Sequence, residues 1–249
     1  MTDQPNEHQL LGRRILISGG TSGIGYAVAQ HLAARNQVWI LGSSQTTLAA
    51  ARQGLPVVGG SSCDVADAAA VEQAVDSAVA ALGGLDAAFV NAGIDGQAVS
   101  ALNLNVDRFR RLLDVNVIGC FQVAQRAIRA MGTAGAVVLN ASINAVRPER
   151  DFLDYNASKA AVVSMAKTMA LELGDREISV IALCPGYFPT RMTAPYLEDS
   201  ESRNQLLARI PAGRLGRLEE IPPVVDFLLS PAASYLTGSV ITLDGGANV

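Results

Sequence analysis

Lysine is nearly absent from this chain. Of its 19 basic residues, 17 are arginine and only Lys159 and Lys167 are lysine. The basic residues form no run or stripe and the net charge is −4, so the electrostatic footprint of a nucleic-acid binder is missing. Histidine is equally scarce, with His8 in a polar segment and His31 on an expected surface helix. The three cysteines, Cys63, Cys120 and Cys184, show no Cys-x-x-Cys pair and no histidine partner, which leaves no metal site. They read as buried, reduced thiols of a cytoplasmic protein. No apolar run approaches the roughly 20 residues that cross a bilayer. Residues 1–9 are polar, lack the order of a signal peptide and are expected to form a flexible tail.

What is present is a globular composition, 49% hydrophobic and 17% charged over 249 residues, enough for one large α/β domain. Short apolar runs alternate with helical patterns. Strands are expected at 15–17, 38–41, 57–58, 87–90, 136–139, 178–183 and 240–243. Helices are expected at 24–34, 46–52, 66–82, 106–131, 153–173 and 219–229. Continuous apolar strands in strict βα order imply a parallel, doubly wound Rossmann-type sheet of about seven strands, covered on both faces. No linker or repeat interrupts 10–249, which reads as a single domain.

Two motifs carry chemistry. Tyr155 and Lys159 stand four residues apart in DYNASKAAVVSMAKTMALEL, so both side chains share one helix face. An arginine-rich chain has kept lysine at this point. Its compact ammonium favours the phenolate of a neighbouring tyrosine, and such a pair can transfer a proton. The second motif is Ser18-Gly19-Gly20-Thr21-Ser22-Gly23-Ile24-Gly25, between the first strand and first helix. Glycines there let the backbone approach a pyrophosphate, and the helix N-terminus supplies donors and a positive dipole end.

Further segments lie at expected strand ends: Cys63-Asp64-Val65, Asn91-Ala92-Gly93, Ser142 placed 13 residues before Tyr155, Pro185-Gly186 with Thr190, and Asp244-Gly245-Gly246. Asn116 lies in DVNVIG. With the glycine loop and Tyr155/Lys159, these segments make the chain resemble the short-chain dehydrogenase/reductase family from about residue 12 to its end. The resemblance implies an oxidoreductase acting on a small carbonyl or alcohol substrate. It implies catalytic roles for Asn116, Ser142, Tyr155 and Lys159. It implies cofactor contacts from Gly19, Thr21, Ser22, Gly23, Ile24, Gly25, Ser43, Ser44, Asp64, Val65, Asn91, Ala92, Gly93, Tyr155, Lys159, Pro185, Gly186, Phe188 and Thr190. A mobile substrate lid is expected over 187–212, with Tyr187, Phe188, Met192 and Tyr196.

Two departures from the family pattern shape the reading. Gly42-Ser43-Ser44 ends the second strand without the carboxylate usual in NAD-preferring members, so NADP(H) is favoured over NAD(H). An acid introduced at position 42 is expected to turn that preference towards NAD. The segment 143–154 holds Asn144, Arg147, Glu149, Arg150, Asp151 and Asp154, either as a solvated loop or as a polar mouth in which Arg147 or Arg150 meets substrate. The helix over 153–173 is apolar or small nearly all round, which points to a homo-oligomer, a tetramer by resemblance. NAD-dependent dehydrogenation, a nucleotide-sensing protein without catalysis, and an epimerase or dehydratase on the same fold remain as alternatives.

Overall fold

The structure, a computed structural model, describes residues 12–190, 193–194 and 200–249. The expected tail, and Met192 and Tyr196 of the expected lid, lie outside the described residues. Seven parallel strands form one sheet: β1 (Arg14–Ser18), β2 (Gln37–Gly42), β3 (Gly59–Ser62), β4 (Leu85–Val90), β5 (Met131–Asn140), β6 (Ile178–Pro185) and β7 (Val240–Leu243). Their order is β3-β2-β1-β4-β5-β6-β7. The order reverses between β1 and β4, and a crevice for a ligand opens there beyond the carboxyl ends of the strands.

Alternate residues of β1 serve opposite faces, as a period of two requires. Leu16 packs with α3 (Ala68–Leu82), α5 (Cys120–Ala130) and α6 (Leu153–Leu173). Ile15 and Ile17 pack with α1 (Gly23–Ala33), α2 (Gln45–Gly54) and α8 (Ile221–Leu229). Cys63, Cys120 and Cys184 are buried free thiols. α7 (Ser200–Leu207) is an added helix in the region expected as a lid.

Two elements differ from expectation. The third strand is not the apolar Val57-Val58 but Gly59–Ser62, which pairs in parallel with Trp39–Gly42. The Trp39 indole lies where a side chain at Gly59 would stand, within 2.9 Å of a Cβ built there, so this edge strand is filled by its neighbour's ring. The helix expected over 106–131 is divided into α4 (Val106–Leu113), a π-turn (Asp114–Gly119) and α5, and residue 131 already begins β5. Such a π-turn re-aims side chains inside an otherwise regular helix and is frequent at functional sites. Here it carries Asn116 inward, where it is 1% exposed.

Candidate active site

The glycine loop is built by close packing. β1 ends at Ser18, whose hydroxyl accepts from Asn91 N at 3.0 Å and Ala92 N at 3.1 Å, tying the ends of β1 and β4 together. Gly19 has φ +65, and a Cβ there would come within 2.9 Å of Ala92 Cα. Gly25 faces the Gly19 carbonyl and stands 2.6 Å, measured from a built Cβ, from Asn91 Nδ2. Asn91 Nδ2 donates to Gly19 O at 3.1 Å, and Asn140 Nδ2 donates to Asn91 Oδ1 at 2.8 Å. Ser22 precedes α1 without a side-chain cap. The N–H groups at the start of α1 thus face a cleft free of side-chain competition, the arrangement that receives a phosphate.

This cleft has a volume of about 360 Å³. It is lined by Gly19, Thr21, Ser22, Gly23, Ile24, Ser43, Asp64, Val65, Asn91, Ala92, Gly93, Tyr155, Lys159, Pro185, Gly186, Phe188 and Thr190. Three expected site residues stand outside it. Gly25 is the packing glycine just described. Ser44 is the N-cap of α2, accepting from Thr47 N at 3.5 Å. Asn116 lies behind the wall: its Oδ1 accepts from Ile94 N at 2.8 Å and its Nδ2 donates to Ile94 O at 2.9 Å. A Cβ at Gly93 would stand 3.2 Å from Asn116 Oδ1, a tight contact that Asn116 would have to ease by a few tenths of an ångström.

A second cleft, about 240 Å³, opens beside the first. Ser142, Tyr155, Gly186, Phe188 and Thr193 border both. Ser142 is the N-cap of a short helical turn, Ile143–Ala145, and its Oγ accepts from Asn144 N at 3.1 Å. Capping uses the oxygen as acceptor. The hydroxyl proton, whose protein contact is a long 3.5 Å to Asn144 Oδ1, can serve a group in the cleft. Lys159 Nζ donates to Asn140 O at 2.9 Å and lies 5.6 Å from the centre of the Tyr155 ring. Burial pushes the Lys159 ammonium below its ordinary value, with Cys120, Cys184 and Asp95 acting in the opposite direction. The Cys120 thiol is itself pushed up to about 12 by burial and stays neutral. Asp95 is the carboxylate among the groups that oppose the effect of burial on Lys159.

A buried ammonium, a phenol on the next helical turn and a held serine hydroxyl thus meet where the two clefts join. A model of the family described as enoyl-(acyl carrier protein) reductase matches residues 19–248. A structure of a short-chain type dehydrogenase/reductase from Mycobacterium ulcerans superposes with a TM-score of 0.93 and 32% identity, covering 96% of this chain and 91% of that one. The chain belongs to the short-chain dehydrogenase/reductase family. Glucose 1-dehydrogenase of Gluconobacter oxydans (strain 621H) is 31% identical over 97% of this chain and 94% of its own length. A gluconate 5-dehydrogenase from Burkholderia cenocepacia J2315, solved in complex with NADP and tartrate, has a TM-score of 0.91 and 30% identity over 97% of both chains. The protein is accordingly an oxidoreductase of the short-chain family, acting on alcohol and carbonyl groups and using a nicotinamide cofactor.

Several lining residues of this short-chain enzyme escaped sequence reasoning. Arg111 reaches the cofactor cleft from α4 and bonds Asp64 Oδ2 at 2.8 Å. That bond, with the Ala66 N–H, holds the Asp64 carboxyl below the usual carboxylate range. Asn140 also lines this cleft, and its Oδ1 is buried without a hydrogen-bond partner among the described residues. The substrate side adds Asp95, Phe152, Gln205, Leu206, Arg209 and Leu215. From the charged segment, Asn144 and Glu149 line this cleft. Arg147 instead bonds the Ala247 carbonyl, Arg150 is exposed beside Asp151, and Asp154 is fully buried, accepting from Tyr155 N at 2.8 Å.

Proposed function

We propose that the protein is an NADP(H)-dependent oxidoreductase that interconverts a ketone and a secondary alcohol through Ser142, Tyr155 and Lys159. The observation that carries this reading is the shared border of the two clefts at Ser142 and Tyr155, with Lys159 beneath. The cleft fits a dinucleotide in its own chemistry: a positive-φ glycine turn, a helix start without a side-chain cap and an unpartnered amide oxygen on Asn140. When bound, the cofactor supplies or takes up the hydride. Ser142 donates a hydrogen bond to the substrate oxygen and stabilises its developing negative charge. In reduction the Tyr155 hydroxyl passes its proton to that oxygen; in oxidation the phenolate takes it back. Lys159 favours the phenolate through its charge. Asn116 positions the chain at Ile94, which lines the cofactor cleft.

Gly42 and Ser43 line the cofactor cleft and present no carboxylate there, which supports NADP(H). The Burkholderia relative solved with NADP agrees in kind. Neutral hydroxyls bind a phosphate more weakly than an arginine fork, so the preference should be about 10–100-fold in kcat/KM. The buried, reduced thiols suit a cytoplasmic setting. Ile118, Phe121 and Leu153 leave apolar surface exposed on the π-turn, α5 and α6, beside the small outward residues Ala157 and Ala160. This favours a homo-oligomer, most simply a tetramer. Light scattering at micromolar concentration checks this, and a monomer refutes it.

The decisive experiment follows NADPH absorbance with a panel of ketones for wild type and Tyr155→Phe. The variant should fold and bind cofactor while losing turnover by about 10²–10⁴-fold. Near wild-type turnover in pure Tyr155→Phe overturns the assignment.

A further inference from the structure

The substrate cleft carries two charged-type side chains with no part in the proton and hydride transfers, Glu149 and Arg209, and Asp95 stands in the same lining. Glu149 is the most firmly held of them. Its N–H donates to Asn156 Oδ1 at 3.3 Å, and its carbonyl accepts from Asn156 Nδ2 at 2.7 Å. Asn144 Nδ2 donates to the same Asn156 Oδ1 at 2.9 Å. Asn156 directly follows Tyr155 on α6, so the backbone of Glu149 is tied to the helix that carries the proton donor. From across the cleft, Arg209 Nη1 lies 3.4 Å from Glu149 Oε1. The Tyr187 phenol interacts with the same carboxylate.

A carboxylate is an acceptor only, with about four lone-pair sites, so two protein partners leave capacity for a third. Glu149 is 26% exposed in its side chain, which leaves that capacity facing the cleft. Among the described lining residues, two carboxylates stand against one guanidinium. Ile143, Phe152, Leu206 and Leu215 supply apolar surface around it.

We propose that Glu149 selects the substrate by accepting a hydrogen bond from a hydroxyl carried away from the reacting carbon. The favoured substrate is then a neutral hydroxylated ketone, or the matching diol in the reverse direction. A plain ketone leaves the Glu149 carboxylate without that donor after desolvation. An anionic substrate meets Asp95 and Glu149 as like charges, and like-charge contact is an effective means of rejection. Arg209 is drawn to Glu149 across the cleft, and that pairing offsets part of its attraction for an anion. The inference rests on the oxidoreductase reading above.

The test compares three cyclohexanones that bear a hydroxyl, a methyl or a carboxylate opposite the carbonyl, each reduced with NADPH by the full-length enzyme. Wild type should prefer the hydroxyl compound over the methyl one by about 10–100-fold in kcat/KM, the range expected of a hydrogen bond to a charged acceptor. It should use the carboxylate least. Glu149→Ala should bring the hydroxyl-to-methyl ratio to about unity. Glu149→Gln keeps an acceptor oxygen without the charge and should lower the ratio severalfold, which preserves the test should the alanine variant fail to fold. A wild-type preference for the methyl or carboxylate compound overturns the proposal, as does a ratio that survives in both variants. Turnover of none of the three, with NADPH binding intact, also overturns the proposal; inactivity across the wider ketone panel above is what would remove the reading on which it stands.

Discussion

An acid at the end of the second strand is the simplest change expected to convert NADP use into NAD use, and the packing around Gly42 says that it fails alone. A Cβ at Gly42 would overlap Thr21 Cγ2 and stand 3.1 Å from Thr21 Oγ1 and 3.3 Å from Thr21 Cβ. Contacts between carbon atoms are most favourable at about 3.5–4.0 Å, so the methyl must move away entirely. Thr21 is β-branched and stiff at its first torsion, and it sits in the glycine loop that lines the cleft. Overpacking of this kind costs about 1–3 kcal/mol. Gly42→Asp should therefore lower the melting temperature by roughly 2–12 °C for a chain of this size. It should weaken both cofactors, because the loop that must yield serves both. Thr21→Ala removes the methyl and the hydroxyl together. Gly42→Asp combined with Thr21→Ala should regain stability and prefer NAD, since the new carboxylate can then accept from the ribose diol and repel a phosphate. The assay is kcat/KM for NADH and NADPH with one ketone, alongside melting curves, across all four members of the double-mutant cycle. A clean switch by Gly42→Asp at unchanged stability refutes the steric argument. A double variant that still prefers NADPH refutes the claim that this strand end reads the ribose.

Other outcomes follow from the same geometry. In the proposed mechanism the Lys159 ammonium favours the phenolate, and burial lowers its folded value, so turnover should fall as pH rises through a point below the ordinary lysine range. Asp95→Asn removes the carboxylate that opposes the effect of burial on Lys159 and should move this alkaline limb to lower pH; a limb that stays in place in the pH–rate profile argues against it. Asp86 joins β4 to β1, accepting from Arg14 N at 2.8 Å and Arg14 Nε at 3.0 Å, and Arg14 holds its carboxyl below the usual range. Asp86→Asn should cost about 1 kcal/mol near neutral pH. Because the folded value is depressed, this contribution is present above about pH 3.9, the unfolded value, and is lost as pH falls through the folded one. The melting-temperature gap from wild type should accordingly close in acid.

The residues legible in the sequence were those whose role depends on position along a strand or one helix face. Gly19, Asp64, Asn91, Ser142 and Pro185 each stand at or just beyond a strand end, and Tyr155 and Lys159 share a helix face, so their positions agree with what the family resemblance implied. β3 escaped because Gly59–Ser62 brings no apolar side chains of its own; Trp39 of the neighbouring strand supplies them. The π-turn at 114–119 escaped because a helical pattern runs unbroken through it. Ser43 and Ser44 look equivalent in sequence, yet one lines the cleft and the other caps a helix. Glu149 and Arg209 meet across 60 positions of sequence, a pairing that spacing alone does not suggest.

The two clefts are made of different material, and this has an evolutionary consequence. The cofactor side is built around a glycine turn and strand ends packed so closely that a single methyl at Gly19, Gly25 or Gly186 would collide with neighbouring chain. The substrate side is walled by side chains from the 143–152 turn, the 186–188 segment and the 205–215 region, none of which lies in a strand of the sheet. Substitutions there alter what is recognised without disturbing sheet registry or the seat of the coenzyme. New specificities are therefore accessible by single steps on this side, each starting from a protein that still folds and still binds its redox partner. The glycine half has no comparable freedom, because there even the smallest side chain must displace backbone.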